Sequence, residues 1–93
     1  MPLVLRRSSG ETAPVYAIHL DGDSSPGGHR YSLCPELFAA TRLDIFCGQT
    51  VLPMRPDDRC SLVDGTHEME ALVIESFDLR DHALIRCHPI KVA

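Results

Sequence analysis

The chain has 93 residues, of which 44% are hydrophobic and 24% are charged, and it carries a net charge of −4 at pH 7. This composition excludes a disordered polymer and predicts one globular domain spanning residues 1–93 with a thin core. The acidic balance, with Lys91 as the single lysine, argues against nucleic acid or an anionic membrane as a partner. No apolar run approaches the roughly 20 residues of a membrane-spanning helix.

The N-terminal part predicts two short strands that pair with each other. Residues 3–7 form the first candidate, and residues 15–20, rich in β-branched and aromatic side chains, form the second. Residues 21–30 contain several turn formers and no apolar residue. We therefore expect a solvent-facing loop there.

A helix is predicted over residues 35–46. Pro35 suits the first helical position and Glu36 complements the positive end of the helix dipole. Four apolar residues would share one helical face: Phe38, Ala39, Leu43 and Phe46. Gly48 would end the helix. Pro53 and Pro56 then confine residues 50–54 to an edge strand or a loop, because proline lacks a backbone donor.

The C-terminal third predicts a short strand over residues 60–63 and then a long β-hairpin over residues 68–92. A four-residue loop at 78–81 would pair Phe77 with His82 and fix the register. The core face would then consist of Leu72, Ile74, Ser76, Ala83, Ile85 and Cys87. The opposite face would carry Ala71, Val73, Glu75, Phe77, His82, Leu84, Arg86 and His88. Glu75 would lie diagonal to Arg86, close enough for an ion pair.

These elements predict an α+β domain. Its centre would be a small antiparallel β-sheet or partly closed β-barrel, with one short helix at about residues 35–46 and the long C-terminal hairpin.

The four cysteines do not have the spacing of a zinc site. Structural sites generally take ligands in pairs a few residues apart, whereas Cys34, Cys47 and Cys60 stand 13 residues apart and Cys87 follows 27 residues later. We expect small buried thiols, no assumed disulfide, no metal and no other cofactor. Cys34, ahead of the predicted helix and near His29, is the candidate nucleophile of a less favoured hypothesis, a thiol-dependent enzyme.

One short segment resembles a known family. Residues 23–28, Asp-Ser-Ser-Pro-Gly-Gly, fit the Asp-x-Ser-x-x-Gly element of PilZ domains. The resemblance covers six residues and implies a small β-barrel with a loop that binds a cyclic dinucleotide. PilZ domains carry an arginine-rich element ahead of this loop. Arg6-Arg7 is the counterpart here, without the further arginine at the expected interval, although a pyrophosphate needs such donors.

We predict a non-catalytic protein-interaction or regulatory adaptor module, possibly homodimeric. An apolar patch rimmed by charge is typical of an interface, and the candidate residues are Val73, Glu75, Phe77, Leu84 and Arg86. The alternative is a sensor of an anionic nucleotide, with ligand candidates Arg6, Arg7, Asp23, Ser25 and Gly28. Because the N-terminal charges follow a three-residue apolar stub, unlike the order in a secretory signal, we expect a cytoplasmic protein.

Overall fold

A computed structural model describes residues 3–20, 29–30 and 32–90 of the chain. Within these residues, helix is confined to α1 (Pro35–Ala39) and to one 3₁₀ turn (Gln49–Val51). The seven strands are β1 (Val4–Arg7), β2 (Thr12–Leu20), β3 (His29–Arg30), β4 (Leu43–Cys47), β5 (Arg59–Asp64), β6 (His67–Leu79) and β7 (His82–Pro89).

Six of the strands close into a small antiparallel β-barrel. Its order is β1, β5, β6, β7, β4 and β2, and pairing of β2 with β1 closes the ring. The short β3 adds to the outer edge of β2. The barrel and the C-terminal hairpin confirm those parts of the predicted fold. The label α+β fits only roughly, because so little of the chain is helical.

Alternation along the strands fills the barrel with apolar side chains. Each strand places every second residue inside, as Leu43, Ile45 and Cys47 of β4 show. The same interior holds Leu5, Ile18, Leu62, Val73 and Ile85, all at most 2% exposed. Among the described residues, no polar or charged side chain is buried.

The predicted helix over residues 35–46 is wrong beyond Ala39. Residues 43–47 instead form β4, which pairs with β2 and β7. The sequence Leu-Asp-Ile-Phe-Cys alternates apolar residues with a period of two, and burial of that alternate face in the barrel outweighs the weaker helical periodicity. Pro35 does stand at the start of α1, as expected.

The two N-terminal strands pair as predicted, with Leu5 opposite Ala13. The second strand begins at Thr12 and not at residue 15, and residues 12–14 are the ones that pair with β1. The predicted strand over residues 60–63 is also confirmed and belongs to β5. Residues 49–51 form the 3₁₀ turn, and the chain remains irregular to Asp58. The loop predicted over residues 21–30 lies outside the described residues except at residues 29–30, which belong to β3.

The long hairpin is present, but its predicted register is wrong by two residues. The turn consists of Arg80 and Asp81 alone, so Leu79 faces His82 and Phe77 faces Leu84. Arg80 has a φ of 61°, the positive value that such a tight turn requires at its first residue.

A β-bulge in β6 changes which side chains face the core. The pairing with β7 shifts between Val73 and Glu75, so Ile74 is the extra residue. Before the bulge, Met69, Ala71 and Val73 point inward, whereas after it Ser76 takes the inner position opposite Ile85. The predicted core residues Leu72 and Ile74 are therefore only partly buried. Val73, which we predicted on the outer face, is 2% exposed and belongs to the core.

Candidate interaction surface

The outer surface of β4, β7 and residues 75–79 of β6, which we call the apolar face, carries a row of large apolar side chains. Phe46 of β4 faces Leu84 of β7, and Leu84 faces Phe77 of β6. These three residues, the apolar row, stand side by side on adjacent strands. Phe77 and the neighbouring Leu79 are each 36% exposed. A contiguous row of partly exposed apolar side chains is typical of the centre of a contact surface.

A charged row runs beside the apolar row and is organised by Arg86. The guanidinium Nε of Arg86 lies 3.0 Å from Asp44 Oδ1, and its Nη1 lies 3.9 Å from Glu75 Oε1. The hydrogen bond to Asp44 and the charge of its carboxylate raise the pKa of Arg86. Its guanidinium carbon is also 5.7 Å from the centroid of the Phe77 ring, within range of a cation–π contact. These contacts hold the guanidinium group of Arg86 over the Phe77 ring.

Gln49 fixes the tip of the hairpin to the barrel. Its side-chain amide donates to the Asp78 carboxylate and to the backbone oxygens of Arg80 and His82, the latter two at 3.1 and 3.4 Å. Below the tip, the Ser76 hydroxyl donates to the backbone oxygen of Met54. These bonds hold the exposed end of β6 in one position, so Phe77 and Leu79 are presented on a supported strand.

The structure brings together four of the five predicted interface residues. Glu75, Phe77, Leu84 and Arg86 lie on the apolar face. Glu75 and Arg86 form the predicted ion pair, but they stand directly opposite each other and not diagonally, because the register differs from the predicted one. Val73 is the exception, because the bulge turns its side chain into the barrel.

Sequence reasoning missed three residues that complete this surface: Phe46, Asp44 and Leu79. Phe46 and Asp44 were assigned to a helix, although the alternation in residues 43–47 was the signal that could have placed them on a strand. Leu79 was assigned to a four-residue loop, whereas it ends β6. With a two-residue turn, Leu79 would have been predicted on the same face as Phe77.

The outer surface of β1, β5 and residues 67–72 of β6, which we call the ion-pair face, has a different character. Arg6 Nη2 lies 2.7 Å from Glu68 Oε2, and Arg59 Nη1 lies 3.8 Å from Glu70 Oε2. All four side chains are at least 42% exposed. Cations and anions alternate across this face, so each charge has an opposite neighbour.

A groove of about 250 Å³ on the ion-pair face contains two of the predicted ligand residues, Arg6 and Arg7, together with Arg59. Arg7 also has an acidic neighbour, Glu11, at 3.7 Å. The other predicted ligand residues, Asp23, Ser25 and Gly28, lie outside the described residues. The structure therefore brings three arginine residues to the lining of one groove, and the guanidinium group of each lies next to a carboxylate.

Three of the four free cysteines, Cys47, Cys60 and Cys87, point into the barrel. Burial raises the pKa of Cys47 to about 12, and a hydrogen bond with Cys60 raises the pKa of Cys87. Such thiols are protonated at neutral pH and behave as small apolar side chains. Within the described residues, no group of three or more potential ligands is placed to hold a metal ion.

Cys34, the candidate nucleophile, precedes α1 and is partly exposed. It lies in a cleft of about 510 Å³ that also contains His67 and Asp64. Burial and the adjacent Glu36 raise the pKa of Cys34, which is the opposite of what an activated thiolate needs. This direction counts against the hypothesis of a thiol-dependent enzyme.

No family model, curated protein or solved structure matches this chain. The resemblance to PilZ domains therefore rests on residues 23–28 and on Arg6-Arg7 alone. In the part of the chain that the structure describes, none of the helices has the length and apolar character needed to cross a bilayer. The class that the fold defines is a small antiparallel β-barrel with a long C-terminal hairpin.

Proposed function

We propose that this chain is a non-catalytic protein-interaction module that associates as a homodimer through contacts centred on Phe77. The supporting observation is the in-register apolar row together with the neighbouring Leu79. Phe77 and Leu79 are both exposed on a strand that Gln49 holds in place. Apolar side chains displayed in this way are stabilised by removal from water. Aromatic residues and arginine, here Phe77 and Arg86, are also the residue types enriched at protein interfaces.

Light scattering coupled to size exclusion, over a hundredfold range of protein concentration, tests this proposal. The wild type should shift from monomer to dimer as concentration rises. Phe77→Asp should weaken the dimer by about 30-fold or more, since truncating a central aromatic residue typically costs about 2 kcal/mol of binding free energy. A wild type that stays monomeric throughout would refute the proposal.

Phe38→Asp provides the matched control. Phe38 is 48% exposed, more than Phe77, and belongs to α1 beside Glu68. Glu68 and Phe77 are about 30 Å apart along β6, given the rise per residue of a strand. The same substitution at Phe38 should leave the dimer intact. Equal weakening by both variants would mean a nonspecific effect of added charge.

The groove with Arg6, Arg7 and Arg59 supports a second candidate function, recognition of a phosphorylated small molecule such as a nucleotide. Arginine is suited to bidentate binding of phosphate. A phosphate would have to compete with Glu11, Glu68 and Glu70, which already neutralise these arginines. A saturable rise in melting temperature with nucleotide that is lost in Arg7→Ala would support this function, and no rise with any nucleotide would refute it.

A further inference from the structure

The C-terminal half of β6 has an open edge, although the barrel as a whole is closed. β5 pairs with β6 only from His67 to Leu72. The next residue, Val73, donates its N–H to the Asp58 oxygen and accepts from the Asp57 N–H, both at 2.8 Å. Beyond Val73, no strand of the described chain pairs with this side of β6. Residues 75–79 therefore form an edge strand that continues beyond the end of β5.

The two-residue turn determines which backbone groups point out of this edge. Leu79 and His82 flank the two-residue turn, so each donates a backbone hydrogen bond to the other. Along the rest of the hairpin, hydrogen-bonded pairs alternate with pairs that share no hydrogen bond. Leu79, Phe77 and Glu75 therefore direct their N–H and C=O groups toward β7. Ser76 and Asp78 direct theirs toward the open side, where the described residues offer them no backbone partner. An unpaired row of this kind is a template for a further strand.

We infer that a second copy of this chain occupies the edge, with residues 75–79 of the two copies pairing antiparallel so that the two barrels share one continuous sheet. This inference rests on the proposed homodimer and specifies how it is built. Addition of a strand to a sheet edge is a recurrent mode of protein recognition.

The hydrogen-bonding pattern selects one register. In this register, Ser76 stands opposite Asp78 of the second copy, and Asp78 stands opposite its Ser76. The outward N–H and C=O groups of all four residues then form hydrogen bonds between the copies. A shift that places Asp78 opposite Asp78 would bring two carboxylates together, which is unfavourable. In the favoured register, each Asp78 instead stands opposite Ser76, which carries no charge, so no like charges meet.

This register also explains the arrangement of the apolar row. Phe77 would stand directly opposite Phe77 of the second copy, in a pair whose side chains approach closely because it is not hydrogen-bonded. The row Phe46, Leu84 and Phe77 would then continue across the symmetry axis into its copy. Glu75 would face Leu79 and no like charge. The side chains and the backbone therefore favour the same occupant.

Amide hydrogen exchange on the wild type is the direct test. In the dimer, exchange of the Ser76 and Asp78 amides should slow at least roughly tenfold as protein concentration rises. Exchange of the Phe77 and Leu79 amides, which bond β7, should be slow at every concentration. A dimer in which the Ser76 and Asp78 amides exchange at a rate independent of concentration would overturn edge pairing.

Asp78→Pro and Asp78→Ala provide a matched pair of variants. Proline removes the outward N–H without removing a bond to β7, and a strand edge tolerates it. Both variants lose the carboxylate that accepts a hydrogen bond from Gln49. They differ in the backbone N–H of residue 78, which the alanine variant keeps and the proline variant lacks. The alanine variant should remain dimeric at concentrations where the proline variant is monomeric. Equal dimerisation of both variants would overturn the inference.

The failure of edge pairing can be distinguished from the failure of the homodimer itself. A dimer that is sensitive to Phe77→Asp and Leu84→Asp, but has unprotected edge amides, would be formed by packing of the apolar faces. That result would overturn the edge inference and leave the proposed function in place. A monomeric wild type would overturn both.

Discussion

The apolar face and the ion-pair face lie on the same barrel and share one strand, yet their side chains follow different rules. On the ion-pair face, Arg6 and Arg59 each lie near a glutamate, and the side chains remain exposed to water. On the apolar face, Phe46, Leu84 and Phe77 form a row that no other part of the described chain covers completely. Alternating exposed charges favour a solvated surface, whereas a supported apolar row favours a contact.

The bulge at Ile74 separates the two faces. Before it, β6 buries Met69, Ala71 and Val73 and lies between β5 and β7. After it, β6 no longer pairs with β5 and continues with β7 alone. The inward-pointing residues also change from odd to even numbers, so that Ser76 follows Val73 on the inner side. One extra residue therefore ends the closed wall of the barrel and begins the open edge. Bulges are common where a strand must redirect a side chain or end its pairing.

The largest expected effect tests whether the bulge places Val73 inside the barrel and Phe77 outside it. Val73→Asp should destabilise the protein by about 4 kcal/mol or more, because it buries an unpaired carboxylate in the barrel. Phe77→Asp should destabilise the monomer by about 1–2 kcal/mol, well below the effect at Val73, because Phe77 is already 36% exposed. Urea unfolding at a protein concentration low enough to keep both variants monomeric measures the difference. A destabilisation of Phe77→Asp equal to that of Val73→Asp would contradict the assigned register.

A smaller effect compares one ion pair from each face. Asp44→Asn on the apolar face should lower the melting temperature at least twice as much as Glu68→Gln on the ion-pair face. The Asp44 and Arg86 side chains are 18% and 28% exposed, whereas those of Glu68 and Arg6 are 48% and 42% exposed. Exposed pairs contribute little because water screens them and ordering the side chains costs entropy. Calorimetry on the two variants would refute this ranking if the order were reversed.

The smallest effect concerns the turn that sets the register of the edge. Arg80→Gly should stabilise the protein by about 0.5–1 kcal/mol, because glycine adopts the positive φ of this position without strain. Arg55→Gly is the matched control, since Arg55 is exposed and is not among the positive-φ residues. It should destabilise slightly by adding freedom to the unfolded chain. A loss of stability in Arg80→Gly would mean that the turn has a different conformation.

The sequence predicted the strands that have strong local signals. The pairing of the first two strands, the strand ending at Asp64 and the long hairpin all follow from alternation bounded by turn residues. The predicted helix failed after Ala39 because the apolar spacing of residues 35–46 also suits a strand in its second half, and only barrel closure distinguishes the two. Local spacing contains no information about that long-range pairing.

The candidate surface was predicted in part for a related reason. The predicted loop was two residues too long, and side chains alternate between faces with a period of two. Phe77, Leu84 and Arg86 were therefore predicted on the correct face, although opposite the wrong residues. A bulge is an odd insertion, and it reverses the face of every residue on its far side. The position of Val73 was therefore not predictable from period-two alternation, and the open edge beyond it could be found only once the end of β5 pairing was known.

The most direct test of the central claim is light scattering on the wild type over a hundredfold concentration range, at low and at high salt. An interface centred on Phe77 is apolar, so the account predicts a dimer that forms with rising concentration and resists high salt. A chain that remains monomeric at the highest concentration, or a dimer that dissociates with added salt, would contradict it.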